Sequence, residues 1–135
     1  MKRGLKRNLV SAGLFLMVLI FSGLMGISAW ICKDCKENIQ KVQAIYSGSA
    51  EEALITFLED PKNSTYDRTH LAIWTLGQIR SEKALPLLKN LYQNDPEGAL
   101  CYGLHNSMLC QREIFKAIQA IENWSPFTHQ RLKGL

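Results

Sequence analysis

Four cysteines and two of the three histidines carry the most chemistry in this 135-residue chain: Cys32, Cys35, Cys101, Cys110, His70 and His105. Thiols and imidazoles can hold zinc, pair as disulfides or exchange electrons, and their spacing bears on which. Cys32-Lys33-Asp34-Cys35 is a Cys-x-x-Cys. At a helix start such a pair is redox-active, because the helix N-terminus lowers a thiol pKa. The strand that leads into such a site is absent here. A four-thiolate zinc set of Cys32, Cys35, Cys101 and Cys110, with His105 as an alternative ligand, is a second arrangement. The Cys101–Cys110 spacing is wider than a usual zinc knuckle, and export disfavours thiolates. The third is disulfides, favoured by an even count in an exported chain; four cysteines permit three pairings. Cys101 and Cys110 bracket one loop and are the first candidate pair. Closing about ten residues would remove roughly 2–3 kcal/mol of unfolded-state freedom. Cys32 and Cys35 could bridge each other, pair with Cys101 and Cys110, or stay reduced.

No catalytic constellation accompanies these thiols. The sequence has no Gly-x-Ser-x-Gly, no phosphate-cradling glycine loop and no His-Glu-x-x-His. Glu51, Glu52, Glu59 and Asp60 flank one short helix as a solvated face. His105 reads as a loop residue, and His70, beside Leu71, as a packed or edge histidine. Asn63-Ser64-Thr65 matches a glycosylation sequon, a pattern common by chance. The expectation is no catalytic residue, no cofactor and no small-molecule substrate.

The redox compartment is set by the N-terminus. Residues 9–31 contain no charged side chain, enough to cross ~30 Å of hydrocarbon as a helix. Lys2, Arg3, Lys6 and Arg7 precede the run and supply the whole net charge of +4. Lys33, Asp34, Lys36 and Glu37 follow it. This asymmetry keeps residues 1–8 in the cytoplasm and exports the remainder. Trp30 sits where an aromatic anchors at the interface. A cleaved secretory signal ending near Gly26-Ile27-Ser28 is the alternative, and it too exports the rest. Gly13, Gly23 and Gly26 form no Gly-x-x-x-Gly pair. A charge excess confined to the first residues, with no basic stripe interleaved with aromatics, argues against nucleic acid.

The elements that must position the thiols are helical. Cys35, Ile39, Val42 and Tyr46 share one face of an amphipathic helix over 33–46, stopped by Ser47-Gly48. Ser49-Ala50-Glu51-Glu52 is a capping box, opening a helix that buries Leu54, Phe57 and Leu58 and ends before Pro61. Ser64-Thr65-Tyr66-Asp67 is a second capping signal, ahead of a helix from Arg68 to Ile79 with Leu71, Ile73, Trp74, Leu76 and Ile79 near helical spacing. Gly77 allows a close neighbour, for about 1 kcal/mol of helix propensity. The next helix carries Leu85, Leu87, Leu88 and Leu91, tolerates Pro86 in its first turns, and ends at Asn94-Asp95-Pro96-Glu97-Gly98.

Arg68-Thr69-His70-Leu71-Ala72-Ile73-Trp74-Thr75-Leu76-Gly77-Gln78-Ile79, with Ser81 to Leu88 after it, resembles the HEAT-like repeat. The likeness is to the short bacterial type with an Arg-x-x-Ala-x-x-Ala-Leu-Gly-x-Ile first helix. It implies stacked helical hairpins and a role as an interaction scaffold. Glu52-Ala53-Leu54 overlies Lys83-Ala84-Leu85, and Phe57 overlies Leu88, about 31 residues apart. Arg68-x-x-Leu71 overlies Arg112-x-x-Phe115, about 44 apart, with Ala117, Ile118 and Ile121 continuing the stripe. The excess falls between Gly98 and Cys110, an inserted loop. The expected fold is therefore all-α. A transmembrane helix precedes a short HEAT-like helical-hairpin stack of about 2–3 repeats and 5–6 helices over 32–124, with the cysteine-bracketed loop at 98–110. The repeat core is Leu54, Phe57, Leu71, Trp74, Leu76, Ile79, Leu85, Leu88, Phe115, Ile118 and Ile121. Trp124 and Phe127 cover the open end of the last hairpin, 125–135 is a tail, and its last residues from His129 are frayed. The expected function is a membrane-anchored, non-enzymatic module that binds a protein partner on the exported side. The alternative is a thiol-dependent redox or zinc-binding protein using Cys32 and Cys35 with Cys101 and Cys110.

Overall fold

The computed structural model describes residues 2–123 and 130–135. The expected covering role of Trp124 and Phe127 lies outside these residues. Among the described residues the chain is all-helical, with no strand. It divides into two compact units, Met1–Lys33 and Asp34–Leu135.

The first unit is helical from Lys2 onward, the beginning of α1 (Lys2–Gln43). Its apolar side chains from Leu14 to Phe21, with Leu24, Met25 and Ile27, are exposed. This is a helix long and apolar enough to cross a membrane, or to serve as a signal sequence. The separate helix expected over 33–46 is instead the continuation of α1. No glycine, asparagine or proline interrupts Ile31-Cys32-Lys33-Asp34, so no helix stop ends the first run.

In the second unit, Cys35, Ile39 and Val42 of α1 are buried. Gly48, at φ +125°, turns the chain into α2 (Ala50–Glu59). The capping box is complete: the Ser49 hydroxyl accepts from Glu52 N, and Glu52 Oε2 accepts from Ser49 N. Asn63 donates from one amide nitrogen to Phe57 O at 2.8 Å and the Tyr46 hydroxyl at 3.0 Å. The sequon asparagine thus closes the turn after α2.

The helix expected from Arg68 to Ile79 is a composite. It consists of α3 (Thr65–Asp67), a π-helical segment (Arg68–Ile73) and α4 (Trp74–Gln78). The junctions keep right-handed helical backbone, so the three run on as one rod. A π turn adds a residue per turn and shifts the faces on either side of it. Thr69, Ala72 and Ile73 are buried, while Leu71 and Trp74 are half-buried. The rod ends in a Schellman cap with arginine in the left-handed position. Arg80, at φ +53°, donates its N–H to Gly77 O at 3.1 Å, and Ser81 N donates to Leu76 O at 3.0 Å. The Arg80 guanidinium donates to Ile121 O, 2.9 Å away, at the end of α6 (Gln111–Glu122).

A 3-10 turn (Glu82–Ala84) leads into α5 (Leu85–Leu91), with Pro86 in its first turn. The Ser81 hydroxyl accepts from Ala84 N, as Ser49 caps α2. The overlaid pairs Ala53 and Ala84, and Phe57 and Leu88, are all buried. Arg68 donates from Nε to Leu58 O at 2.7 Å, whereas Arg112 is exposed, so that overlaid pair diverges. Of the remaining repeat-core positions, Leu54, Leu76, Ile79, Ile118 and Ile121 are buried; Leu85 and Phe115 are half-buried.

The frayed tail is corrected. Gln130–Gly134 is a 3-10 turn packed against α2, with Leu132 buried. Leu135 O accepts from Gln43 Nε2 at 3.0 Å. Lys133 Nζ also lies 4.0 Å from Glu51 Oε1 of α2, so an apolar side chain, a backbone acceptor and an ion pair tie the segment down.

α4 and α6 meet at Gly77. A Cβ there would lie 2.9 Å from Ala117 Cα and 3.1 Å from Ala117 Cβ. Gly77→Ala therefore sets about 1 kcal/mol of gained helix propensity against overpacking that typically costs about 1–3 kcal/mol. Because the opposing atom is backbone, the substitution is expected to lower the melting temperature of the detergent-solubilised chain. A rise would contradict this close approach.

Candidate thiol and imidazole site

The loop between α5 and α6 is a chain of single turns. Asn94, at φ +57°, redirects the backbone. The Asp95 carboxylate then accepts from Ala99 N at 3.0 Å and Leu100 N at 2.8 Å. Cys101 N donates to Gly98 O, Leu104 N to Cys101 O, and Met108 N to Leu104 O. These turns place Cys101 and His105 one helical turn apart, although no helix forms. At the far end Gln111, buried, accepts from Gln93 N at 2.7 Å and donates to Leu91 O at 3.3 Å. One amide side chain thereby joins the end of α5 to the start of α6.

Within this loop Cys101, His105 and Cys110 bring one ligand atom each to within 4.8 Å of one another. Both thiols are buried and His105 is half-buried. The sulfurs are 2.8 Å apart and are not joined in this structure, against ~2.05 Å for a disulfide bond. Cys101 Sγ also donates to Gly98 O at 3.4 Å. A cleft of about 230 Å³, lined in part by Glu97, Tyr102, Arg112 and Glu113, opens onto these three residues.

The π-helical segment holds the loop from behind with two consecutive residues. Thr69 Oγ1, buried, accepts the Cys110 N–H at 3.3 Å. His70 Nε2 lies 2.8 Å from His105 Nδ1. The two rings are nearly parallel, 8° apart, with centroids separated by 5.0 Å. A nitrogen-to-nitrogen contact that short forces the rings edge to edge in one plane, an N–H···N bond rather than a face-to-face stack. Tyr66 packs on His70, with centroids 4.3 Å apart.

Burial bears on two of these groups, His70 and Cys110. Burial, and then the charge of the neighbouring His105, hold His70 below the ordinary histidine range. Burial, then the bond with Cys101, push the Cys110 thiol up. Its environment is the reverse of that of an activated, solvent-facing thiolate.

Of the residues singled out from the sequence, Cys101, Cys110 and His105 come together, while Cys32 and Cys35 lie outside this group. Cys32 and Cys35 also do not stand at a helix start. Both lie deep within α1, so the N-terminal dipole that would activate the Cys-x-x-Cys is missing. Cys35 is completely buried. His70 is the functional neighbour that sequence reasoning missed as a partner. Its bond to His105 spans 35 positions and leaves no local signal.

No family model matches the chain, and neither a curated protein nor a solved structure matches it.

Gly98 is where the site is most sensitive to backbone substitution. At φ +71°, a Cβ there would stand 2.8 Å from Arg112 Cβ and 3.2 Å from Cys101 Sγ. Gly98→Ala should cost about 1–2 kcal/mol of left-handed strain and displace Cys101. Its expected signature is faster labelling of Cys101 by a thiol reagent in the reduced, folded chain. Labelling at the parental rate would contradict the packing described.

Proposed function

We propose that the chain is a membrane-anchored helical module that binds another protein and has no catalytic activity of its own. The observation that carries this reading is the loop between α5 and α6. Around its buried Cys101 stand exposed apolar side chains: Leu100 is 51 % exposed, Tyr102 89 % and Leu104 50 %. Single exposed apolar residues are ordinary on a protein surface. Three within five residues, on a loop ordered by its own turns and held at both ends, make a presented patch. Tyrosine is also among the residue types that dominate binding energy at interfaces.

Other features agree with this reading. The apolar stretch of α1 supplies an anchor, and the basic residues before it favour an exported second unit. The Arg68–Leu88 pattern and the matching serine caps support a HEAT-like hairpin stack, an architecture suited to presenting helical surfaces. A thiol-redox enzyme fits less well, because Cys110 is buried with a raised pKa and Cys32-x-x-Cys35 has no helix N-terminus beside it.

A photo-crosslinker placed at Tyr102 of the full chain in intact cells should capture a discrete protein partner. Changing Leu100 and Leu104 to Ser in that chain should abolish the capture. The melting temperature should barely move, since exposed substitutions usually change stability by less than about 0.5 kcal/mol. An unchanged crosslinking pattern would refute the loop as the contact surface.

A further inference from the structure

The disulfide expected between Cys101 and Cys110 would use two of the three groups that converge in the loop, and it leaves His105 without a reason to be there. A metal ion uses all three. We propose that Cys101, Cys110 and His105 form a zinc site, with His70 as a positioning residue that orients the His105 ring. The site does not depend on the partner-binding reading above.

Donor chemistry is the first argument. Two thiols and an imidazole are the ligand types that zinc takes, and Zn²⁺ with two thiolates is a neutral unit that tolerates burial better than either charge alone. Binding releases the two thiol protons to solvent, so no oxidant or reductant enters the step. The second argument is geometry. The ligand atoms already lie within 4.8 Å of one another, and two come from adjacent turns of the same loop. Zn–S bonds of about 2.3 Å place tetrahedral sulfurs about 3.8 Å apart, so the thiols, now 2.8 Å apart, open by roughly 1 Å on loading.

Support for the imidazole is the third. Metal-bound histidines nearly always give their other ring nitrogen to a hydrogen-bond partner, which fixes the tautomer and the ring plane. His105 Nδ1 is so engaged, with His70 Nε2 2.8 Å away and the rings nearly parallel, and in the proposed site the other nitrogen, Nε2, takes the cation. Thr69, the residue beside His70, holds the Cys110 backbone. Access is the fourth. The cleft lined by Glu97, Tyr102, Arg112 and Glu113 gives the ion a route in and gives water the fourth position.

The test is direct. The full chain is purified in detergent under reducing conditions, exposed to Zn²⁺ alone, dialysed, and assayed for metal and protein. One zinc per chain is expected. Co²⁺ in its place should give a thiolate-to-cobalt charge-transfer band. His105→Gln, at a half-buried position that the helices do not need, should weaken zinc binding at least tenfold. His70→Ala should weaken it by about 10–100-fold, the range seen for supporting partners, while keeping the cobalt band and the far-ultraviolet circular dichroism of the metal-free chain. Cys32→Ser should keep one zinc. Three results would overturn the site: reduced chain that takes up less than one zinc, zinc lost on Cys32→Ser but kept on His105→Gln, or a Cys101–Cys110 disulfide in chain whose thiols were trapped in intact cells.

Discussion

The second unit depends on a local irregularity. Arg68–Ile73 is wound as a π helix, and two consecutive residues of that turn, Thr69 and His70, reach the loop between α5 and α6. Neighbouring residues of a helix point roughly 100° apart, so Thr69 and His70 together reach across a wide arc of the loop. Thr69 sits wholly buried against the Cys110 backbone while His70 meets His105. π turns are rare, cost regular hydrogen bonding and concentrate at functional sites. Here the irregular turn stands behind the only grouping of three or more potential metal ligands among the described residues.

The packing around that turn fixes it in place. α4 carries Gly77 against Ala117 of α6, so the rod cannot slide without driving backbone into backbone. The rod's end is closed by Arg80, which accepts a left-handed backbone and also bonds the last turn of α6. At its other end Arg68 bonds Leu58 O, joining it to α2. Asn38 of α1 donates to Thr75, buried on α4, at 3.1 Å. The helices are thus tied by a few directed polar contacts laid over an apolar core, and each contact satisfies a backbone or hydroxyl group that burial would otherwise leave costly.

Much of this was legible from residue types alone. The charge-free run, the capping box at Ser49, the serine cap at Ser81, the stop before Pro61 and the tight fit at Gly77 are local rules, and each acts within a few residues. The start of the loop between α5 and α6 was legible in the turn residues Asn94-Asp95-Pro96-Glu97-Gly98. Three things were not. The continuity of α1 past Ile31 depends on the absence of a stop signal, and a change from apolar to amphipathic pattern is not a stop. The π turn over Arg68–Ile73 has no compositional signature that marks it off from an α turn. The His70–His105 pair joins residues of two elements far apart in sequence, so each read as ordinary in its own neighbourhood.

The account rests on the π-helical segment holding the loop, and the Cys110 amide reports on that directly. Its hydrogen exchange, followed by nuclear magnetic resonance on the full chain in detergent, should be slow, comparable with amides in the middle of α6. Thr69→Ala should speed it selectively, leaving the α6 amides unchanged. A Cys110 amide that exchanges as fast as that of exposed Tyr102 in the parent chain would contradict the account.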